Sequence, residues 1–390
     1  MTTDELLETI KLGEDSRHQF KRVVKSEAEL AEDFVAFSNG DGGEIFVGVA
    51  DNGSVTGLTP REVADLNKRI SNAASQWVRP EPQITTENIA TETGIVVVIR
   101  ILPGISKPYQ DKDGNFWVKK GADNRRALAR EELQRMFQRS GLVHADAIPV
   151  KNTSEKDINT LYFSEFYEKE YGHPPGEEGL PLIALLRSLN LLSDENLNVA
   201  GVLFFAHNPE RQLPCFFVNA AAFPGTDFSD SSYLDSRVIQ GNIASQFERT
   251  IAFLENNTGT RQNGRSVNSI GEPEVPRIVW EELIVNALIH RDYFVSAPIR
   301  VIVFADRVEI ISPGHIPNSL TVENIRVGNS NIRNPILASF AAKILPYRRL
   351  GSGIPRALRA YPHIDFIDDR DGNLFKAIIK RPDKDVAPHD

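Results

Sequence analysis

Residues 39–53 place a glycine turn, a strand pattern and a second turn within fifteen positions, and this stretch constrains the fold of the N-terminal region most strongly. Residues 30–37 precede it with apolar side chains at helical spacing, and Asn39-Gly40 predicts the end of that helix. Apolar residues alternate over 45–49, as in a strand with one buried face. Asn52-Gly53 supplies the positive φ angles of a tight hairpin turn. The stretch therefore predicts a helix, a turn, a buried strand and a hairpin in that order.

The length of 390 residues exceeds one ordinary core and predicts two or three domains. A hydrophobic content of 41% and a charged content of 25% are typical of globular chains, and no window resembles a membrane span or a signal peptide. The single cysteine, Cys215, excludes an internal disulfide and a thiolate metal site. We therefore expect a cytoplasmic protein without membrane contact. The net charge of -9 argues weakly against a protein that coats nucleic acid with its whole surface.

Pattern changes along the chain predict an α+β protein with three domains. Residues 1–143 form the first, a compact unit of helices and short strands. Residues 144–268 form a middle α/β segment, in which apolar runs predict strands at 201–206 and 215–222. Residues 269–390 form the last, and a segment rich in Asn, Gly and Thr precedes it.

Four short motifs in the first domain recur in a known family. They are Gly13-Glu14, Phe20-Lys21, the turn at residues 39–43, and Val47-Gly48-Val49. On these motifs the first domain resembles the Schlafen AlbA_2 domain, also called the divergent AAA-4 domain. The resemblance implies a fold that binds nucleic acid.

In nuclease members of that family, three carboxylates hold a divalent metal ion that stabilises charge on the transferring phosphate. The resemblance places Glu14 at the first of these positions. Gln19 stands at the second, and Ala50 stands at the third, with Asp51 one residue later. A neutral amide is a poor metal ligand, so binding of RNA or DNA without cleavage is the favoured interpretation. The alternative is an endoribonuclease of phage defence that uses Glu14 and Asp51.

A basic segment follows the aromatic pair Phe116-Trp117. Its cations are Lys119, Lys120, Arg125, Arg126 and Arg130. Cations can contact phosphates while an aromatic ring stacks on a base, so this segment predicts a nucleic-acid surface together with Lys21 and Asn39. The alternative is a solvated hairpin with Trp117 in the core.

A second polar constellation lies in the last domain. Glu282, Asn286 and His290 recur every four residues and share one helix face. On periodicity alone, a solvated face is the favoured interpretation. Gly351-Ser352-Gly353 precedes another helix and offers free main-chain amides to a phosphate, although a lone Gly-x-Gly is weak evidence.

Taken together, residues 282–293, Ser312-Pro313-Gly314 and residues 351–356 resemble the divergent GHKL-type ATP-binding domain. That domain follows AlbA_2 domains in bacterial proteins described as transcriptional regulators or ATP-binding proteins. The resemblance implies a GHKL-like α/β sandwich that binds ATP and Mg²⁺. The aspartate that reads adenine in ordinary members of the family is replaced around Ser312.

The same resemblance assigns roles to single residues. Asn286 would hold Mg²⁺, and Glu282 would orient or deprotonate the attacking water in a weak ATPase. The nucleotide-binding residues would be Asn286, His290, Asp292, Gly314, Gly351, Ser352 and Gly353.

Three hypotheses follow from these patterns. The favoured one is an ATP-regulated, nucleic-acid-binding transcriptional regulator, with a homo-oligomer as a further expectation. The second is the Schlafen-like nuclease, and the third is a scaffold in which both sites have decayed.

Overall fold

The structure is a computed structural model of the chain, and it describes residues 1–140, 142–177, 179–228, 232–261, 271–317 and 320–382. The chain folds as two compact units, Met1–Val143 and His144–Asp390. Helices and sheets occur together in both, which confirms the predicted α+β class. Within the described ranges, every helix is too short or too polar to cross a membrane.

The first unit begins with a helix whose Thr2 side chain caps its N-terminus. Its helices are α1 (Thr3–Lys11), α2 (Glu27–Asn39), α3 (Pro60–Asn72) and α4 (Arg130–Arg139). Its strands are β1 (His18–Lys21), β2 (Gly43–Val47), β3 (Val78–Arg79), β4 (Ile84–Thr91), β5 (Gly94–Ile101), β6 (Gln110–Asp111), β7 (Trp117–Lys120) and β8 (Asp123–Arg126). A π-helical turn, Ala73–Trp77, links α3 to β3.

Four strands of the first unit form one sheet in the order β1-β2-β5-β4. β1 runs parallel to β2, whereas the other pairs are antiparallel. The apolar side chains of α2 and α3 pack on one face of this sheet, and those of α1 pack on the other. β7 and β8 form a separate hairpin next to α2.

The turn and strand predicted at residues 39–53 are present, with shifted bounds. α2 ends at Asn39 and β2 runs over Gly43–Val47. Beyond the strand, Val49 bridges Val55 across the Asn52-Gly53 turn, as a hairpin requires. The ladder stops at Val47 because Gly48 has a φ of +103°, which no extended strand residue adopts.

The second unit carries the remaining elements. Its helices are α5 (Thr160–Tyr171), α6 (Leu182–Ser188), α7 (Val199–Phe205), α8 (Pro209–Gln212), α9 (Ile243–Asn257), α10 (Arg277–His290), α11 (Val322–Arg326), α12 (Pro335–Ile344) and α13 (Gly353–Ala360). Its strands are β9 (Leu192–Ser193), β10 (Asn196–Leu197), β11 (Val218–Ala222), β12 (Asp235–Ile239), β13 (Thr260–Arg261), β14 (Glu272–Pro273), β15 (Ile299–Val303), β16 (Arg307–Pro313), β17 (Ile364–Asp369) and β18 (Leu374–Lys380).

A six-stranded sheet organises this unit in the order β12-β11-β15-β16-β18-β17. β11 and β15 are parallel and the other neighbours are antiparallel. One face of the sheet carries α9, α10 and α13 and contributes to the large apolar core. On the opposite face, Phe223, Ile302, Phe304 and Ile311 form a small apolar cluster.

The middle segment departs from the sequence-based expectation. Of the strand predicted at 201–206, residues 201–205 belong instead to α7, in which every residue is buried. Asn198 caps the N-terminus of α7 by accepting a hydrogen bond from Gly201 N at 2.8 Å. An apolar run without polar positions has no period, so it fits a buried helix as well as a buried strand.

The boundary predicted between residues 268 and 269 lies outside the described residues. Strands from both sides of it share the six-stranded sheet, since β11 and β12 come before it and β15 to β18 come after it. The middle and last segments therefore pack as one unit, because β11 pairs directly with β15.

Candidate functional site

The polar face of α10 lines a pocket of the second unit. Glu282, Asn286 and His290 all border this pocket, together with residues of the strands β16 and β18. The remaining face of α10 is apolar and buried in the core. The periodic polar stripe is therefore the wall of a cavity and not a surface fully open to solvent.

Two glycines bring main chain close to that wall. Gly353 begins α13, and a Cβ added to it would collide with the Glu282 carboxylate and lie 3.1 Å from Asn286 Nδ2. Gly351 has a φ of +68°, and a Cβ there would collide with the carbonyl oxygen of Gly328. Only glycine fits at 351, because that position lacks space and needs a left-handed conformation, whereas a Cβ at 353 would have to displace the Glu282 carboxylate.

Glu282 is buried beside these glycines. It is 4% exposed, and its carboxylate forms an ion pair with the guanidinium of Arg356. Arg356 comes from the first turn of α13, so this ion pair joins the start of that helix to α10.

Asn286 and His290 have defined hydrogen bonds in the same wall. Asn286 Nδ2 donates to the main-chain oxygen of Glu282 at 2.5 Å, which leaves the amide oxygen of Asn286 as an acceptor. His290 Nε2 lies 2.9 Å from the hydroxyl of Tyr347. Burial and the nearby positive charge of Arg333 lower the pKa of His290 to about 4, so its imidazole is neutral at pH 7.

The sheet side of the pocket is mostly apolar. Ser312 is buried there at 6% exposure, and its hydroxyl donates to the Ala287 carbonyl at 3.3 Å. Gly314 also borders the pocket, whereas Asp292 lies behind it. The side chain of Asp292 accepts a hydrogen bond from Phe294 N at 2.9 Å, and a Cβ on Gly314 would meet Asp292 Cβ at 2.5 Å.

Two of the cations predicted for the basic surface in the first unit are engaged internally. Lys21 Nζ lies 2.8 Å from Glu29 Oε1 and 3.1 Å from the buried Asp33 Oδ2. Burial alone would lower the pKa of Lys21, but the two carboxylates outweigh it and raise that pKa. Lys119 Nζ donates to Gln19 Oε1 at 2.9 Å, and burial lowers the pKa of Lys119. Both lysines therefore join parts of the fold.

The remaining predicted cations lie on or next to the β7–β8 hairpin and are exposed. Arg125 is held by Glu132 through two hydrogen bonds of 2.8 and 2.5 Å. The Arg126 guanidinium lies 4.9 Å from the centre of the Trp117 ring. Lys120 and Arg130 are exposed as well.

Asn39, also predicted to contact nucleic acid, joins α2 to two neighbouring segments. Its Nδ2 donates to the carbonyls of Tyr109 and Trp117, each at 2.9 Å, and its Oδ1 accepts from Tyr109 N at 2.7 Å. All of its amide atoms are thus used within the fold.

The residues at the expected nuclease positions have other partners. Glu14 accepts a hydrogen bond from Phe20 N at 2.7 Å, and Gln19 accepts from Lys119. Ala50 and Asp51 lie in the turn after β2, where Asp51 is exposed. In the described parts of the chain, three His, Cys, Asp or Glu residues nowhere lie close enough together to hold a metal ion.

Comparison with protein families finds a known domain in each unit. Residues 14–128 match the family model described as "Schlafen, AlbA_2". Residues 296–370 match the one described as "Putative ATP-dependent DNA helicase recG C-terminal", an ATPase-like domain. The chain carries an AlbA_2 domain and an ATPase-like domain. These two domains suggest a nucleic-acid-associated, ATP-binding protein.

A solved structure also resembles the chain. The DIP2311 protein of Corynebacterium diphtheriae matches with 20% identity and a TM-score of 0.47, over 97% of this chain and 80% of that one. No match was found among curated proteins.

The pocket of the ATPase-like domain extends beyond the matched segment. Glu282 and Asn286 lie on α10, before the match begins at residue 296. Sequence reasoning gave no role to three residues that border this pocket, Arg356, Tyr347 and Arg349. Arg356 follows the Gly-Ser-Gly turn by three residues. A cation one helical turn after such a turn was the available signal that this side chain borders the pocket. Nothing in the sequence indicated that Tyr347 would reach His290.

Proposed function

We propose that the protein binds ATP with Mg²⁺ in the pocket beside α10 and that nucleotide occupancy controls nucleic-acid binding by the AlbA_2 domain. The observation that carries this proposal is the convergence of Glu282, Asn286 and Gly353 at the start of α13. A magnesium-bound triphosphate needs an oxygen ligand for the metal ion, a carboxylate, and main-chain amides that can approach the phosphates closely.

The phosphate end of the nucleotide would lie at residues 351–353. Main-chain amides at the N-terminus of α13 would donate to phosphate oxygens, as helix N-termini do for anions. Gly351 and Gly353 permit the close packing of this turn. Arg348 and Arg349 border the same pocket and add positive charge for a triphosphate.

Asn286 fits the role of magnesium ligand. Its amide nitrogen is used by the Glu282 carbonyl, so the oxygen is the atom that remains to coordinate a hard cation. Bound Mg²⁺ would supply neutralisation of the phosphate charge. Asn286 would hold that ion while the α13 turn holds the phosphates.

The base end of the nucleotide would lie against the sheet, near Ser312. The Ser312 hydroxyl offers a short, neutral hydrogen-bonding group where ordinary GHKL proteins have a carboxylate. A neutral group discriminates less between bases than a charged acceptor does, so we propose only a weak preference for adenine over guanine.

Slow hydrolysis follows from the Glu282–Arg356 ion pair. A carboxylate that orients or deprotonates water must have a free oxygen lone pair and a charge that is not neutralised. Arg356 neutralises Glu282 and fixes its position. We therefore propose that the domain holds nucleotide as a regulatory ligand and hydrolyses it weakly.

Nucleic acid would bind at the exposed cations beside the β7–β8 hairpin. Lys120, Arg126 and Arg130 are exposed, and Arg126 lies over Trp117. Phosphate contacts of this kind are independent of sequence. A role in regulating transcription would follow if nucleotide changed the affinity for DNA.

The proposal is tested by measuring nucleic-acid binding with and without nucleotide. Fluorescence anisotropy of labelled RNA and DNA would be compared for the full chain alone, with Mg²⁺-ATP and with a non-hydrolysable analogue. We expect both nucleotides to shift the affinity by the same factor, and Asn286→Ala to abolish the shift while leaving the nucleotide-free affinity unchanged. Equal affinities in all three conditions would refute nucleotide control.

A further inference from the structure

The outer strand β12 of the six-stranded sheet carries exposed apolar side chains. Within the described residues, β12 pairs only with β11 and its other side has no neighbouring strand. Val238 is 54% exposed, and Leu234, just before the strand, is 69% exposed. An unprotected edge with apolar side chains tends to pair with another strand.

The hydrogen bonds of β11 show which main-chain groups of β12 point away from the sheet. Phe223 N donates to Val303 O at 2.8 Å, and Ile299 N donates to Phe217 O at 3.1 Å, so alternate residues starting from 217 face β15. The residues between them therefore face β12. Their partners on β12 are Asp235, Arg237 and Ile239. By alternation, the N–H and C=O groups of Ser236 and Val238 point outward.

The sequence of this edge is complementary to itself. If two copies of the strand pair antiparallel about Ser236, Asp235 of one copy lies opposite Arg237 of the other. This pair joins opposite charges, which stabilise antiparallel strands. Pairing about Ser236 also uses the residue whose main-chain groups point outward.

The charged side chains of β12 and the apolar side chain of Val238 lie on opposite faces of the sheet. Asp235 and Arg237 stand on the side of α9, where Arg237 lies 5.8 Å from the centre of the Phe253 ring. They also form an ion pair with each other at 2.8 Å, so their charged ends are close along the strand edge. Val238 stands on the other side, next to Asn219 in the register.

We propose that two copies of this chain join β12 to β12 about a twofold axis at Ser236, which forms one continuous sheet across the dimer. Twofold pairing uses the same patch on both copies, as the self-complementary sequence requires. This inference is independent of nucleotide binding, and it concerns an edge remote in sequence from the α10 pocket. Further contact area would come from the exposed rings of Phe228 and Tyr233, because a five-residue strand alone is small.

The experiment compares two matched substitutions by sedimentation velocity and light scattering of the full chain at about 1 to 100 μM. Val238→Lys places a charge on β12, and Ile367→Lys does so on β17, the opposite edge of the same sheet, where Ile367 is 45% exposed. We expect the unmodified chain and Ile367→Lys to dimerise equally. Val238→Lys should weaken the dimer about tenfold or more, since the change occurs twice in each dimer.

A charge exchange tests the register. Arg237→Asp would place two carboxylates opposite each other and should give monomers. Asp235→Arg combined with Arg237→Asp restores opposite charges across the axis and should restore the dimer. Circular dichroism would check that each variant folds. A monomeric unmodified chain at the highest concentration, equal effects of Val238→Lys and Ile367→Lys, or no rescue by the charge exchange would each overturn the proposal.

Discussion

Glu282 and Arg356 form an ion pair at the edge of the pocket, and it joins α10 to the first turn of α13. The Glu282 side chain is 6% exposed and that of Arg356 is 25% exposed. Removing one partner of such a pair leaves a charge in a poorly solvated place, which costs more than the pair itself contributes. The pair therefore links the stability of this domain to the geometry of its pocket.

Arg356→Met is expected to destabilise the second unit by roughly 2 to 4 kcal/mol, because the Glu282 carboxylate loses its counter-charge. Adding Glu282→Gln should recover about half of that loss, since no buried charge then remains. Thermal unfolding would measure both. Arg359→Met, on an exposed residue of the same helix, is the control and should have little effect. A double variant no more stable than Arg356→Met would show that the pair is not the cause.

Gly353→Ala is expected to abolish nucleotide binding while the protein still folds. The added Cβ would displace the Glu282 carboxylate and crowd Asn286, which disturbs the groups proposed to hold Mg²⁺ and the phosphates. Gly40→Ala is a control in the other unit, where the new Cβ would lie 3.3 Å from its nearest neighbour, Ala36 O. Calorimetric titration with Mg²⁺-ATP is the measurement. Unchanged affinity in Gly353→Ala would place the phosphates elsewhere.

The neutral His290 predicts a pH dependence of stability. Its pKa is lowered to about 4 in the folded chain, from an ordinary value of 6.5, by burial and by Arg333. Between these two pH values the unfolded chain binds a proton that the folded chain does not bind. Stability should therefore fall as the pH falls from 6.5 towards 4, by at most roughly 3 kcal/mol, and level off below that range.

Comparing the unmodified chain with a His290 variant separates the contribution of His290 to the pH dependence of stability from the contributions of the carboxylates. His290→Asn removes the titrating ring next to the Tyr347 hydroxyl. Unfolding free energies of both proteins would be measured from pH 7 to pH 4.5. The unmodified chain should lose more stability than His290→Asn over this range. Parallel curves would mean that His290 titrates normally.

Charge reversal at the exposed hairpin cations should weaken nucleic-acid binding. Lys120→Glu with Arg126→Glu would remove two of the proposed phosphate contacts and should reduce the dependence of affinity on salt, because fewer counterions are released. A double variant at exposed cations of α3, Lys68→Glu with Arg61→Glu, changes the net charge equally and serves as control. Anisotropy at several salt concentrations is the measurement. Equal losses in both double variants would indicate a nonspecific effect of charge.

Local patterns predicted several parts of the fold and of the pocket. The i, i+4 spacing of Glu282, Asn286 and His290 placed all three on one face, and the structure has them line one pocket. The turn at Asn39 was predicted because Asn-Gly ends a helical period, and α2 ends there. Both features depend on residues close together in the sequence, which is where periodicity carries information.

Features that depend on distant contacts were not predictable in this way. Lys119 is one of five cations in a short segment, yet it lies against Gln19, one hundred residues away. The pairing of Arg356 with Glu282 spans 74 residues. The apolar run of α7 matched a strand equally well, because burial on all sides removes the period that distinguishes the two. Tertiary packing decides such cases.

The most direct test of nucleotide binding is the thermal unfolding of the full chain with and without Mg²⁺-ATP. A ligand at 100 times its Kd adds about 2.7 kcal/mol to stability, so saturating Mg²⁺-ATP should raise the melting temperature of the second unit. Asn286→Ala should remove this rise, since it deletes the amide oxygen that would hold Mg²⁺. An unchanged melting temperature of the unmodified chain at millimolar Mg²⁺-ATP, or an equal rise in Asn286→Ala, would contradict the account.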